Sequence, residues 1–389
     1  MRRSHVFTLA SVLLVAACLR PAITSVGPLL GTIGHDLGLN AFALGLLGAV
    51  PLLMFAGFSP LAGWVGRRLG IEAAVLAALV ALVVGMVVRS LGGVAGLWVG
   101  TALAAAAVAV ANVLAPALVK RDFRRPAIAT AAFATTLSAF AATSSGVAVP
   151  LAHALGGWRE GLLAWVALPL LVIPLWMVRM RLRPGPVVRA EELDPAALRR
   201  MWRSPIAWQV TVFFGLQSGG FYTIVTWLPS IEQHVGVGAT TAGLHLLLYQ
   251  VIGSAAGLVI GMQMEGRADQ RLAAVAVSLP VVVAMVGLVA LPSLVVVWVV
   301  LAAFGAGSAL TVALSLVVLR TTTTRETATL SGMAQSVGYL IASVGPLGAG
   351  ALAHALGWNA VIAGVAVVAV VQTVLSLWAG RATVIGESV

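Results

Sequence analysis

The chain has 389 residues, 60% hydrophobic and only 9% charged, with 23 Lys and Arg against 12 Asp and Glu and a formal net charge of +11. Soluble domains are about 45–50% apolar and about 25% charged, so this composition, with a mean hydropathy of +1.05, points to an integral membrane protein. The positive excess does not make a nucleic-acid binder, because it is scattered through short connections between apolar runs and forms no basic domain.

Twelve apolar runs follow one another, at 6–31, 41–63, 73–88, 94–118, 127–151, 161–178, 206–229, 240–263, 272–291, 294–317, 328–352 and 358–380. Most reach the roughly 20 residues that a spanning helix requires, which predicts twelve transmembrane helices. The first run contains Val15-Ala16-Ala17-Cys18, which imitates a lipoprotein signal, but it continues past Cys18 far enough to span and is read as an uncleaved helix. Cys18 is the lone cysteine, so no intramolecular disulfide is available.

Two residues further on stands Arg20, read as the one charged side chain inside any of the twelve runs, with no Asp or Glu inside them to pair with it. It falls about 14 residues into a helix of about 26, near mid-membrane. A cation there costs about 2.5–3.5 kcal/mol on insertion scales, and such residues face a wet cavity or a partner in the bundle. Pro21, Gly27 and Pro28 predict a bend that frees backbone carbonyls. Either the guanidinium forks onto an anionic or dipolar substrate, a geometry that suits Arg better than Lys, or it bonds the freed carbonyls. The expense of the charge favours the substrate.

The later runs carry a sparse polar set: Asn112 in the fourth, one turn before Pro116; Gln217 and Tyr222 in the seventh; Tyr249 and Gln250 in the eighth; Gln335 and Tyr339 on one face of the eleventh. Such residues either line a site or bond a neighbouring helix, for about 0.6 kcal/mol on average. His245, also in the eighth run, either couples transport to protons or packs as a neutral group, and no acid within the runs is there to partner it. Gly253, Gly257 and Gly261 form a smooth stripe along the eighth helix, and Gly338, Gly345, Gly348 and Gly350 loosen the eleventh.

Around the middle lies the longest polar connection, and it divides the chain into a six-helix bundle over 1–180, a cytoplasmic linker over 181–204 and a second six-helix bundle over 205–389. Asp194 before Pro195 is an N-cap signal that opens a short surface helix through Trp202. The halves echo each other. Leu151–Gly156 and Leu352–Gly357 both spell LAHALG with a tryptophan close behind, and Ile33, Gly38 and Gly45 match Ile231, Gly236 and Gly243 at an offset of 198. Parallel repeats of this kind build secondary transporters. With the N-terminus inside, twenty basic residues fall on the cytoplasmic side and two, Arg89 and Arg159, outside, as the positive-inside rule requires.

Four stretches carry a more specific likeness. Arg20-Pro21-Ala22-Ile23-Thr24-Ser25-Val26-Gly27-Pro28, Asn112 through Phe123, Gly215-Leu216-Gln217-Ser218 with Phe221-Tyr222 and Trp227-Leu228-Pro229, and Leu330 through Tyr339 resemble the cyanate and 2-nitroimidazole transporter family of the major facilitator superfamily. The resemblance runs over essentially the whole chain. It implies an all-α membrane protein of twelve helices in two six-helix bundles, in the bacterial inner membrane with both termini cytoplasmic. It also implies secondary transport of a small anionic or polar molecule, cyanate-like or nitroimidazole-like, by alternating access, and it raises Gln217, Tyr222 and Gln335 among the substrate-binding candidates. One departure stands out. Where the superfamily's loop after the second helix carries an Asp, this chain has Gly63-Trp64-Val65-Gly66-Arg67-Arg68, so an acid-dependent gate contact is missing, while Arg67 and Arg68 keep their charge for helix ends or lipid phosphate.

No cofactor or metal is expected. No P-loop sequence occurs, which argues against an ATP-driven pump, and no HExxH or acid pair supports an intramembrane enzyme. A multidrug or metabolite exporter of the same superfamily is the alternative, served by Trp227, Phe221 and Met54. The partners are a small-molecule substrate and the lipid bilayer. Uniport, exchange for a counter-anion and coupling to protons through His245 are all compatible with the sequence.

Overall fold

A computed structural model describes residues 2–123, 126–182, 199, 201–322 and 324–385, and among these no strand occurs. The first crossing is broken where the prolines predict. α1 (Arg2–Leu19) stops before Arg20, α2 (Pro21–Thr24) adds one turn, a 3-10 turn covers Gly27–Leu29, and α3 (Leu30–Leu37) completes the run. Pro21 opens α2 and Pro28 lies in the first turn of the 3-10 segment, places where a missing N–H breaks no ladder.

Next come α4 (Ala41–Leu69), α5 (Ile71–Leu91), α6 (Gly93–Asp122) and α7 (Pro126–Leu155), then a sixth crossing in two pieces, α8 (Trp158–Ala164) and α9 (Ala167–Leu182). The second series is α10 (Pro205–His234), α11 (Ala239–Met264), α12 (Arg271–Ala290), α13 (Val295–Leu319), α14 (Thr324–Leu356) and α15 (Trp358–Ala379). Eleven helical stretches among the described residues are long and apolar enough to cross a membrane. α10 has 30 residues, ample for a crossing at about 1.5 Å per residue, but Gln217, Ser218 and its threonines dilute its hydropathy. With α10 counted, the crossings are the twelve expected from sequence. The expected surface helix from Asp194 lies almost wholly outside the described residues.

The chain divides into two compact units, Met1–Leu39 with Gly57–Ala190, and Asn40–Ala56 with Glu191–Val389. The cut falls within α4, whose first half packs into the second unit. A Cβ on Gly45 would stand 2.7 Å from Pro346 O and 3.0 Å from Gly350 Cα, so only glycine lets α4 lie this close to α14.

Within the first unit, Arg179 of α9 pairs with Asp122 at the end of α6, donates to Ser11 Oγ at 2.9 Å, and lies over the Trp176 ring at 4.6 Å. Trp176 Nε1 in turn donates to Glu72 O at 3.0 Å. In the second unit, Arg320 at the end of α13 donates to Ala379 O, Gly380 O and Ala268 O at 3.0–3.3 Å. Burial pulls its pKa below the ordinary value and Asp269 pulls it back up, while the Arg271 guanidinium bonded to Asp269 holds that carboxyl below the usual range.

The repeated sequences occupy repeated corners. LAHAL closes α7 and again α14, each time followed by a glycine in the left-handed region, Gly156 at φ 97° and Gly357 at φ 84°, and Trp158 and Trp358 each open the next helix. Gly38 at φ 65° and Gly236 at φ 93° follow α3 and α10 in the same way. Only glycine takes this backbone without a Cβ penalty.

The glycine stripe packs α11 on α13 inside one unit, in a graded fashion. A Cβ on Gly253 would meet Gly307 Cα at 2.6 Å, one on Gly257 would meet the Thr311 hydroxyl at 2.9 Å, and one on Gly261 would make an ordinary 3.5 Å contact. Backbone cannot yield as a side chain can. Gly253→Ala is therefore expected to destabilise the protein by about 1–3 kcal/mol, and Gly261→Ala to leave it unchanged or slightly stabler through helix propensity. Thermal unfolding of the two variants in detergent checks this order.

Candidate functional site

The break in the first crossing is a site of concentrated hydrogen bonding. Arg20 is half-buried, near the middle of the crossing Phe7–Leu37. Its carbonyl accepts from the amides of Ile23 and Thr24 and from the Thr24 hydroxyl, at 2.9–3.0 Å. Ser25 Oγ takes Pro21 O at 2.6 Å, and Thr24 Oγ1 also lies 2.7 Å from Ser144 Oγ of α7. The carbonyl of Ala22 receives a second arginine, Arg89 Nη1, from the last turn of α5. The break thus has its freed carbonyls bonded by residues that the sequence did not single out.

Arg89 is a correction. It was expected outside the membrane as a loop charge, whereas it is 0% exposed inside α5, with Nε and Nη2 making no hydrogen bond among the described residues. The apolar run ended one residue before it, but the helix does not end there. Arg179 and Arg320, also counted as loop charges, are buried at helix ends by the acid and the carbonyls they bind.

The second correction concerns acids. Glu232 lies in α10 and is 0% exposed, because that helix continues through Pro229 for more than a turn beyond the apolar run. Its Oε2 stands 2.9 Å from His245 Nδ1 of α11. His245 therefore does have an acid partner in the spans, and the runs are not free of buried carboxylate.

The third concerns the gate. Gly63 through Arg68 form the closing turns of α4, and the connection to α5 shrinks to Gly70 at φ 80°. Arg68 lies over the Trp64 ring at 5.1 Å, and the Arg67 side chain falls outside the description.

Of the remaining candidates, the structure gathers the tyrosines. Tyr249 lies 5.9 Å from Phe221, Phe221 5.3 Å from Tyr222, Tyr222 6.4 Å from Phe55, Phe55 5.4 Å from Tyr339, and Tyr339 5.3 Å from Phe214, all as ring centroids. All three tyrosines of the protein thus join one aromatic chain in the second unit, drawn from α4, α10, α11 and α14. Edge-to-face contacts of this kind fix ring orientation and leave π faces and hydroxyls for a planar, polar guest. Tyr249 is fully buried and its hydroxyl makes no hydrogen bond among the described residues, nor does Gln250 Nε2; buried polar groups are rarely left so without a reason. Gln217 is buried on α10 and donates to Ser218 Oγ at 2.6 Å, while Gln335 turns back one helical turn to Ser331 Oγ at 3.0 Å. Asn112 is half-buried on α6 in the first unit.

Long apolar helices, a first crossing broken at an arginine, and buried polar side chains within the spans define a multi-pass membrane protein of the transporter kind. Residues 12–346 match the Major Facilitator Superfamily. The chain is 39% identical over 384 residues to the 2-nitroimidazole transporter of Escherichia coli (strain K12), covering 97% of this chain and 96% of that one. It is 26% identical over 342 residues to the cyanate transport protein CynX of the same organism, covering 87% and 88%. In fold it is similar to the crystal structure of a bacterial homolog of the human lysosomal transporter Spinster in an inward-facing, occupied conformation. The TM-score is 0.80 at 16% identity, over 98% of this chain and 97% of that one. The chain belongs to the major facilitator superfamily of transporters, as its four motif stretches suggested.

Proposed function

We propose that this protein moves a small, planar, anionic or strongly polar molecule, nitroimidazole-like or cyanate-like, across the bacterial inner membrane by alternating access, with both termini cytoplasmic. Arg20 anchors the negative end of the substrate. The aromatic chain through Tyr222, Tyr339 and Tyr249 presents π faces and hydroxyls to its ring, with Gln217, Gln335 and Asn112 as further polar contacts. The observation that carries the proposal is the position of Arg20, at the broken middle of a crossing, where an unproductive cation is expensive. Similarity to the 2-nitroimidazole transporter along nearly the full length supports the substrate class.

Purified protein in proteoliposomes is expected to take up labelled 2-nitroimidazole or cyanate saturably and to exchange it in counterflow. Transport of lipophilic dyes alone, with no movement of either small molecule, would replace this reading by that of a multidrug exporter.

A further inference from the structure

Glu232 and His245 face each other across the hairpin formed by α10, residues 235–238 and α11. The carboxylate is 0% exposed and the imidazole 13%. Among the described residues neither side chain makes another hydrogen bond, and Glu232 Oε1 has no partner. As a packing device this is poor design, since a buried ion pair with an unsatisfied oxygen is no more stabilising than two apolar side chains of like volume. Its surroundings are electrically quiet. α13, α15 and the Asn40–Ala56 half of α4 carry no titratable residue, and Arg271, the one such residue of α12, is bonded to Asp269. On α10 the other titratable groups are Tyr222 and an exposed His234, and on α11 Tyr249. α14 carries Arg325, Glu326, Tyr339 and His354; Glu326 is bonded to Thr322, and His354 is exposed.

We propose that Glu232 and His245 form a proton-binding site, and that its proton is the ion coupled to substrate movement. The proposal rests on the transport reading above and deepens it by naming the coupling ion. The chemistry is one proton on or off. With a proton the pair is net neutral, as carboxylate with imidazolium or carboxylic acid with imidazole. Without it, a carboxylate beside a neutral imidazole leaves net negative charge in an apolar site, which burial opposes strongly. The buried pair therefore holds its proton, and releases it when water reaches the carboxylate. His245, the more exposed partner, is the route for the proton.

Coupling follows from the placement of the pair. α10 carries Gln217 and Tyr222 as well as Glu232, and α11 carries Tyr249 one turn beyond His245. Between Tyr222 and Glu232 lies Pro229, which removes a backbone hydrogen bond and gives α10 a point of flexure. A motion that wets the pair moves the helices that carry the candidate substrate residues.

The test separates exchange from driven accumulation. In proteoliposomes the wild type is expected to accumulate 2-nitroimidazole under an imposed pH gradient, about tenfold per pH unit for one coupled proton. Glu232→Gln is expected to retain counterflow and to lose the response to the gradient. Glu232→Asp, which restores a carboxylate, is expected to recover part of that response even if Glu232→Gln fails to insert. In a second measurement, addition of 2-nitroimidazole to detergent-solubilised wild type in weak buffer shifts the signal of a pH indicator, and the shift vanishes in His245→Gln. Counterflow by the wild type without any response to a pH gradient overturns the proton site and leaves the transport reading intact, as does a gradient response that survives in Glu232→Gln. No wild-type counterflow of any small anion overturns the transport reading, and an unchanged indicator signal then overturns the proton site as well.

Discussion

Arg20→Ala is expected to weaken substrate binding by about one to two orders of magnitude. A hydrogen bond to a charged group contributes about 1.5–3 kcal/mol, and each 1.4 kcal/mol is about tenfold. Arg20 opens the break between α1 and α2, so truncation removes the charge while the Thr24, Ser25 and Arg89 bonds that hold the break stay in place. Arg20→Lys keeps the charge but loses the planar fork, and should fall between wild type and alanine. The concentration dependence of 2-nitroimidazole or cyanate uptake reads this directly. Identical saturation curves for wild type and alanine variant would remove Arg20 from the substrate site.

Asp122→Ala is expected to have the largest effect on stability, about 3–5 kcal/mol, because it strands a buried guanidinium. Arg179 is 2% exposed, held by Asp122, by Ser11 and by Thr8 O, and stacked on Trp176, so it cannot swing out to water without dismantling the packing of α1 against α9. The double variant Asp122→Ala with Arg179→Met should recover most of the loss, since an apolar pair of similar volume substitutes well for a buried ion pair. Melting in detergent, followed by the fraction that stays monodisperse after heating, distinguishes the three proteins. An Asp122→Ala protein as stable as wild type would show that the pair contributes nothing.

The fold was largely legible because hydropathy reports what a bilayer demands, and Pro21, Gly27 and Pro28 marked the broken crossing through their own backbone chemistry. The LAHALG repeat found the two equivalent corners because glycine is needed there for its conformation. What was missed shares one cause. Apolar runs end at the first charge or proline, whereas helices end where hydrogen bonding ends. α5 therefore continues through Arg89, and α10 passes Pro229 to take in Glu232. Glu232 and His245 meet over a separation of 13 residues, and Asp122 and Arg179 over one of 57; neither spacing is a helical or strand period, so no local pattern announces the contact. The three tyrosines were picked out one by one, but their linkage through Phe55, Phe221 and Phe214 depends on tertiary packing.

The three-carbonyl grip of Arg320 has a mechanical corollary. One guanidinium ties the exit of α13 to the finish of α15 and to the loop preceding α12, and Gln270 N adds a 2.8 Å bond to Gly380 O at the same spot. Successive helices alternate in direction, so the hairpin at residues 235–238 lies at the other extremity of this unit, where no comparable rivet joins the strands of the bundle. Loosening should begin there, with amide exchange fastest around Gly236 and slowest around Arg320, like a fan spreading from its unpinned edge.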